Sequence, residues 1–259
     1  MLSRHRPSWY TFASDTATAT PKSFASSKAG AAFFSEKKIF HPTGGPVSDT
    51  ETITLFHAPQ TRSAGTAVLL EELGAPYTLH VLNMKAGEQR QPAYLAINPL
   101  GKVPAIHHRG ALVTEQVAIF IYLADLFPQA GLAPALDSPL RGPYLRWLVF
   151  YAACYEPGLI DCALKREPGP SAMSPYGTFD AVLGTVKSQL SAAPYLLGDK
   201  ITAADILWGS ALRWGLMFKL IPDDAVLTRY VAKLAQRPAA LKVEAADAAL
   251  SADHAKSLA

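Results

Sequence analysis

One change of hydrophobic period organises this chain. Between residues 52 and 127, short β-branched and aromatic runs alternate with helical patterns; after the Pro/Ala/Gly-rich residues 128–139 every patterned segment is helical. Residues 52–57 (TITLFH) read as a strand, 58–62 as a turn and 63–73 as a helix stopped by Gly74. Residues 77–82 read as a second strand, 92–97 as a short helix, 103–106 and 111–113 as a hairpin around Arg109-Gly110, and 115–126 as a helix. The order β-α-β-α-β-β-α predicts an α/β layer. Helical patterns at 140–155, 176–192, 203–216, 225–236 and 239–250 predict an all-α bundle behind it. The expected division is therefore 52–127, a linker at 128–139, and a helical domain at 140–259.

Residues 1–51 fit neither pattern. Ser, Thr, Ala, Pro and Gly supply 28 of the first 50 residues, too few large apolar groups to offset the entropy of ordering. Three explanations stay open: a disordered tail, an organelle-targeting segment with Arg4 and Arg6 near its start, or a mis-assigned start whose true origin is Val47. The charge pattern follows the same division. The first 50 residues hold six bases and three acids, whereas the other 209 hold 18 of each, so the formal charge of +3 belongs to the extension. A neutral body without a basic cluster argues against a nucleic-acid partner. No apolar run approaches the ~18 residues of a membrane span. The expected location is cytoplasmic. Two cysteines exclude a disulfide-stapled scaffold. Cys154 and Cys162 are expected to be reduced, buried thiols, and no metal-ligand pattern occurs.

Four local signals carry the functional argument. In Asn98-Pro99-Leu100-Gly101-Lys102-Val103-Pro104, a proline stands where a strand should begin. It is either an edge-strand proline or a cis turn that presents the Val103 backbone to a peptide-like ligand. In Pro59-Gln60-Thr61-Arg62-Ser63, the hydroxyls and the helix start either cap the helix or stabilise a thiolate. Thr114-Glu115-Gln116 is either an acidic first turn or a site for a ligand's ammonium and carboxylate. Thr202-Ala203-Ala204-Asp205 reads as a capping box between staple residues Ile201 and Ile206, which is folding architecture.

Together these runs (TLFHAPQTRS, LLEELGAPY, GEQRQPAYLAINPLGKVP, LVTEQVAIFIYLADLF and GDKITAADI) resemble a cytosolic-type glutathione transferase over about residues 52–250. The branch is similar to the bacterial and fungal one whose turn reads Thr/Ser-Arg-Ser. The resemblance implies a thioredoxin-like N-terminal domain, an all-helical C-terminal domain and a homodimer. It implies glutathione as co-substrate, an electrophilic apolar small molecule as its partner, conjugation or hydroperoxide reduction as the reaction, and no metal, nucleic acid or membrane. Val103 and a cis Pro104 would align the cysteinyl backbone, Glu115 and Gln116 would hold the γ-glutamyl end, and Lys102 and Arg62 would meet the glycyl carboxylate. Thr61 and Ser63 would face the sulfur, with His57 at the position of the family's tyrosine. Tyr151 and Tyr155, which share a helix face, are either part of an aromatic core stripe or, as the resemblance implies, border the electrophile pocket. Two departures, His57 and the long Gln116 side chain, motivate the rival expectation of a non-catalytic glutathione-binding or assembly module on the same fold.

Overall fold

The computed structural model describes residues 39–40, 52–166, 169–170 and 172–257. The three explanations for residues 1–51 lie outside these residues, with one addition: Ile39–Phe40 (β1), in a stretch expected to join no sheet, is a two-residue strand.

The remaining elements follow in chain order. Ile53–His57 (β2) leads through a turn into Arg62–Leu73 (α1), then come Tyr77–Val81 (β3) and the short helix Pro92–Leu95 (α2). Ala105–His108 (β4), Ala111–Val113 (β5) and Gln116–Leu126 (α3) complete this half. The sheet order is β1-β3-β2-β4-β5. β2 and β3 run parallel, with Ile53 opposite Tyr77, and the other pairs are antiparallel. The β4–β5 hairpin turns on Arg109 (φ +50°) and Gly110 (φ +78°), the two left-handed residues that a tight hairpin of this twist requires. β4 starts two residues later than its apolar run suggested, because Pro104 has no N–H for the ladder.

The second half is helical. Arg141–Phe150 (α4) runs through one wide turn at Tyr151–Tyr155 into Glu156–Ala163 (α5). The helix expected to stop at residue 155 therefore continues for two further turns. Phe179–Ala192 (α6), Ala203–Met217 (α7), Ala225–Ala235 (α8) and Pro238–Lys256 (α9) follow. Asp205 of α7 is fully buried, and its carboxylate accepts from the Thr202 N–H (2.8 Å) and hydroxyl (3.0 Å), the Leu196 N–H (2.8 Å) and the Tyr230 hydroxyl (2.9 Å). Among the described residues no helix is long and apolar enough to cross a membrane.

Two apolar clusters hold this arrangement. The large one joins Leu69, Leu70 and Leu73 of α1 and Ile119, Phe120 and Leu123 of α3 to Tyr144, Trp147, Tyr155 and Trp208 of the helical half. Each such side chain contributes about 1.5–3 kcal/mol on burial, so the two halves share one core. The small cluster, on the other sheet face, packs Phe56, Ala58, Leu82, Tyr94, Val103 and Ala105 under α2. α9 is fastened along α1 by Lys242–Glu71 (2.7 Å) and by the two-pronged Arg237–Glu72 pair (2.5 and 2.6 Å).

Candidate active site

Strand register gathers three loops at one end of the sheet. Phe56 pairs with Ala105, and Ile106 pairs with Val113. The chain therefore leaves β2 into residues 58–61 beside the point where 102–104 enter β4, with 114–115 alongside. Each loop carries one of the candidate motifs.

The 98–104 loop is built from its own residues. Asn98 accepts from the Leu100 N–H at 3.1 Å and donates to the Lys102 carbonyl at 2.9 Å, to which the Tyr94 hydroxyl also donates at 2.6 Å. Gly101 (φ +60°) is required, since a Cβ there would lie 2.7 Å from the Gln89 carbonyl oxygen. The Val103–Pro104 bond is cis. Among the described residues nothing hydrogen-bonds to the Val103 backbone, and the Lys102 side chain stands exposed.

At the second loop, Thr61 caps α1: its hydroxyl oxygen accepts from the Ser63 N–H at 3.3 Å. Its O–H reaches the Ala58 carbonyl and the Ser63 Oγ, each at 2.8 Å. Thr61 is half-buried at the head of the helix, where unpaired N–H groups favour an anion. Ser63 is different. It is fully buried, and its Oγ lies 2.9 Å from His57 Nδ1 and 3.1 Å from both the Ala58 N–H and carbonyl oxygen. His57, 1% exposed, also faces inward, with Nε2 3.0 Å from the Asp247 Oδ1 of α9. The other Asp247 oxygen accepts the Gln60 N–H at 2.7 Å. The expected contacts of Ser63 and His57 with a ligand sulfur are thus corrected: β2 ends with its histidine on the helix side of the sheet, beneath the turn.

At the third loop, α3 begins at Gln116, and Glu115 precedes it as the cap residue with φ +63° and ψ +114°. Such a backbone is rare for a residue with a Cβ and exposes the glutamate outside the helix instead of in its first turn. The Gln116 amide donates to the Arg62 carbonyl at 2.9 Å and accepts from the Tyr151 hydroxyl at 3.3 Å. It ties α1 to the helical half, which was not foreseen. Arg62 likewise is held by Glu156 of α5 instead of standing free for a carboxylate.

Tyr151 and Tyr155 are turned into the core of the helical half. Tyr155 is fully buried, its ring stacks on Tyr151 (centroids 6.1 Å apart), and its hydroxyl donates to the Ala211 carbonyl. The wide turn carries both rings inward against Trp208. Burial pushes the Tyr151 phenol well up, and the neighbouring Glu156 adds to this, so it remains a protonated donor. The described cavity that abuts the Thr61 turn lies elsewhere. It has a volume of about 520 Å3 between α1, α7, α8 and α9, and its lining includes Gln60, Ala64, Val68, Trp214, Phe218 and Asp247. Cys154 and Cys162 are free, but Cys162 is exposed, not buried as expected; burial of what remains covered raises both thiols. Among the described residues no group of three or more His, Cys, Asp or Glu is placed to hold a metal.

Sequence reading missed Asp247 and Glu156. The signal for Asp247 was a carboxylate four residues after Val243, on the buried stripe of an alanine-rich helix.

The sequence matches the description "Glutathione S-transferase, N-terminal domain" over residues 51–125 and "Glutathione S-transferase, C-terminal domain" over residues 170–238. It is 30% identical over 187 residues to "Glutathione S-transferase GstA" of Escherichia coli O157:H7, covering 71% of this chain and 93% of that protein. The fold is similar to the glutathione transferase URE2P6 from Phanerochaete chrysosporium in complex with oxidized glutathione. That likeness has a TM-score of 0.65 and 27% identity, and covers 79% of this chain and 100% of the other. It is also similar to a sphingomonad glutathione S-transferase complexed with glutathione, at a TM-score of 0.63 and 27% identity, over 75% of this chain and 98% of that one.

Proposed function

This chain belongs to the glutathione S-transferase family, and from that premise we propose that it joins the thiolate of glutathione to an electrophilic, largely apolar small molecule. The observation that carries this reading is the meeting of three loops at the head of α1: an N-cap hydroxyl, the Val103 backbone just ahead of the cis Pro104, and an out-of-helix glutamate. In this reading the tripeptide's cysteinyl backbone pairs with Val103, Glu115 receives its ammonium, and Lys102 receives its glycyl carboxylate. The sulfur then faces Thr61 and the N–H groups of α1.

The chemistry follows from that placement. A helix N-terminus and a donated hydroxyl hydrogen bond favour the anion, which lowers the thiol's pKa from its ordinary ~8.5 and releases its proton to solvent. The thiolate's electron pair forms a carbon–sulfur bond, and the acceptor's leaving group, such as a halide, departs with the electrons of the bond it breaks. The protein orients sulfur and carbon and excludes water. The apolar outer strip of α3 (Ala118, Ile121, Tyr122, Leu126) supports pairing of two copies, which light scattering checks.

The test is turnover of a chloronitrobenzene acceptor with glutathione, together with calorimetry of glutathione binding. Micromolar binding with turnover is the expected result. Binding without turnover across an acceptor panel would favour a non-catalytic glutathione-binding module, and no binding at millimolar glutathione would overturn the transferase reading in favour of an assembly module.

A further inference from the structure

We infer that Asp247 of α9, acting through His57, is a positioning residue for the ligand-facing Thr61 turn, and that Ser63 belongs to this interior chain and not to the ligand. The inference rests on the transferase reading above only for its kinetic arm.

The argument is one of donors and acceptors. The Asp247 carboxylate accepts the Gln60 N–H at 2.7 Å through Oδ2 and faces His57 Nε2 at 3.0 Å through Oδ1. A carboxylate offers only lone pairs, so the proton of a neutral imidazole sits on Nε2. His57 Nδ1 is then an acceptor, and the Ser63 O–H, 2.9 Å away, gives its proton to it. The Ser63 oxygen is left to accept from the Ala58 N–H at 3.1 Å, and the one Thr61 proton faces both that oxygen and the Ala58 carbonyl, each 2.8 Å away. Ser63 has no proton left for a ligand and no exposed surface from which to offer one. Thr61 does: its oxygen is fed by the Ser63 N–H, and its O–H can turn from the Ala58 carbonyl and Ser63 to an incoming anion.

One carboxylate thereby fixes the turn twice, by its backbone at Gln60 and by its interior hydroxyl pair. The carboxylate comes from α9, so a helix of the other half holds the loop that faces the ligand. The same accounting makes an unusual variant informative. In Asp247→Asn the Gln60 N–H still needs an oxygen, so the amide NH2 must face His57 Nε2. The imidazole proton then moves to Nδ1, both hydrogen bonds survive, and the Ser63 proton turns towards Thr61 or the Ala58 carbonyl. Asp247→Ala keeps neither bond.

The experiment uses the full chain and its Asp247→Ala and Asp247→Asn variants, each assayed at a temperature where it remains folded. We expect kcat of Asp247→Ala to fall about tenfold or more, with KM for glutathione changed less than about threefold; Asp247→Asn should stay within about threefold of the wild type in both. Nitrogen NMR of His57 should show the Nε2–H tautomer in the wild type and Nδ1–H in Asp247→Asn. Wild-type kcat in Asp247→Ala, whatever its stability, overturns the positioning role. Asp247→Asn as slow as Asp247→Ala, or a wild-type imidazole protonated at Nδ1, overturns the donor–acceptor account. A wild-type protein that fails to turn over any acceptor refutes the transferase reading instead, and leaves the NMR arm to decide the chain of protons.

Discussion

Replacing Gln116 by alanine should loosen the joint between the two halves more than it weakens a ligand contact. The side chain donates to the Arg62 carbonyl at 2.9 Å and accepts from the Tyr151 hydroxyl at 3.3 Å. The first bond is well formed and half-exposed, worth about 1 kcal/mol net. The second is long and adds about 0.5 kcal/mol, but the tyrosine is buried, and a hydroxyl left to its Glu156 and Arg62 neighbours costs somewhat more. The expected loss is about 2 kcal/mol, a fall in Tm of roughly 5 °C for a fold of this size. Thermal and urea unfolding measure it, and calorimetry measures glutathione affinity in parallel. A double-mutant cycle with Tyr151→Phe should show a coupling of about 0.5 kcal/mol or more, since the two share a bond. Strict additivity, or an unchanged Tm with a large loss of glutathione affinity, would refute the reasoning and return Gln116 to the role of a ligand contact.

Two further outcomes follow from buried polar groups. Asp205→Ala strands the Leu196 and Thr202 N–H groups and the Tyr230 hydroxyl, so it should cost about 4 kcal/mol in chemical denaturation; a loss under about 1 kcal/mol would contradict this. Burial raises the Tyr94 phenol from 10.0 to about 12. A folded value above the unfolded one means its contribution is complete below about pH 10 and is lost as pH rises through about 12, amounting to about 2–3 kcal/mol. Tyr94→Phe should therefore lose the Lys102 bond at neutral pH but fall less steeply over that alkaline window; parallel stability curves for the two proteins would contradict the assignment.

Local chemistry was legible in the sequence wherever a residue acts on its near neighbours. Thr202 and Asp205 sit at capping-box spacing, Arg109-Gly110 can only be a tight turn, and Pro104 stands where a strand hydrogen bond is impossible. These positions gave the element order, the α/β layer with its helical partner, and the loops that meet at the site. What stayed hidden was the direction of side chains once distant elements pack. Whether Ser63 faces out or in depends on His57, and His57 depends on a carboxylate 190 residues away. The aromatic stripe at 147–155 was visible, but the wide turn at Tyr151–Tyr155 breaks the 3.6-residue period that a helical reading assumes, and both tyrosines turn to the core. Gln116 looked like a ligand donor because its nearest protein acceptor, the Arg62 carbonyl, is 54 positions earlier in the chain.

The bond between His57 and Asp247 also sets a clock. Synthesis proceeds from the N-terminus at about 5–20 residues per second. Once His57 has been made, the 190 residues that separate the imidazole from its carboxylate take roughly 10–40 s more to translate. Throughout that interval a nascent chain can own a formed Thr61 turn whose interior partner does not yet exist. The ligand-facing loop is thus made well before it is completed, and a ribosome stalled before α9 would display the motif without the acceptor that holds it.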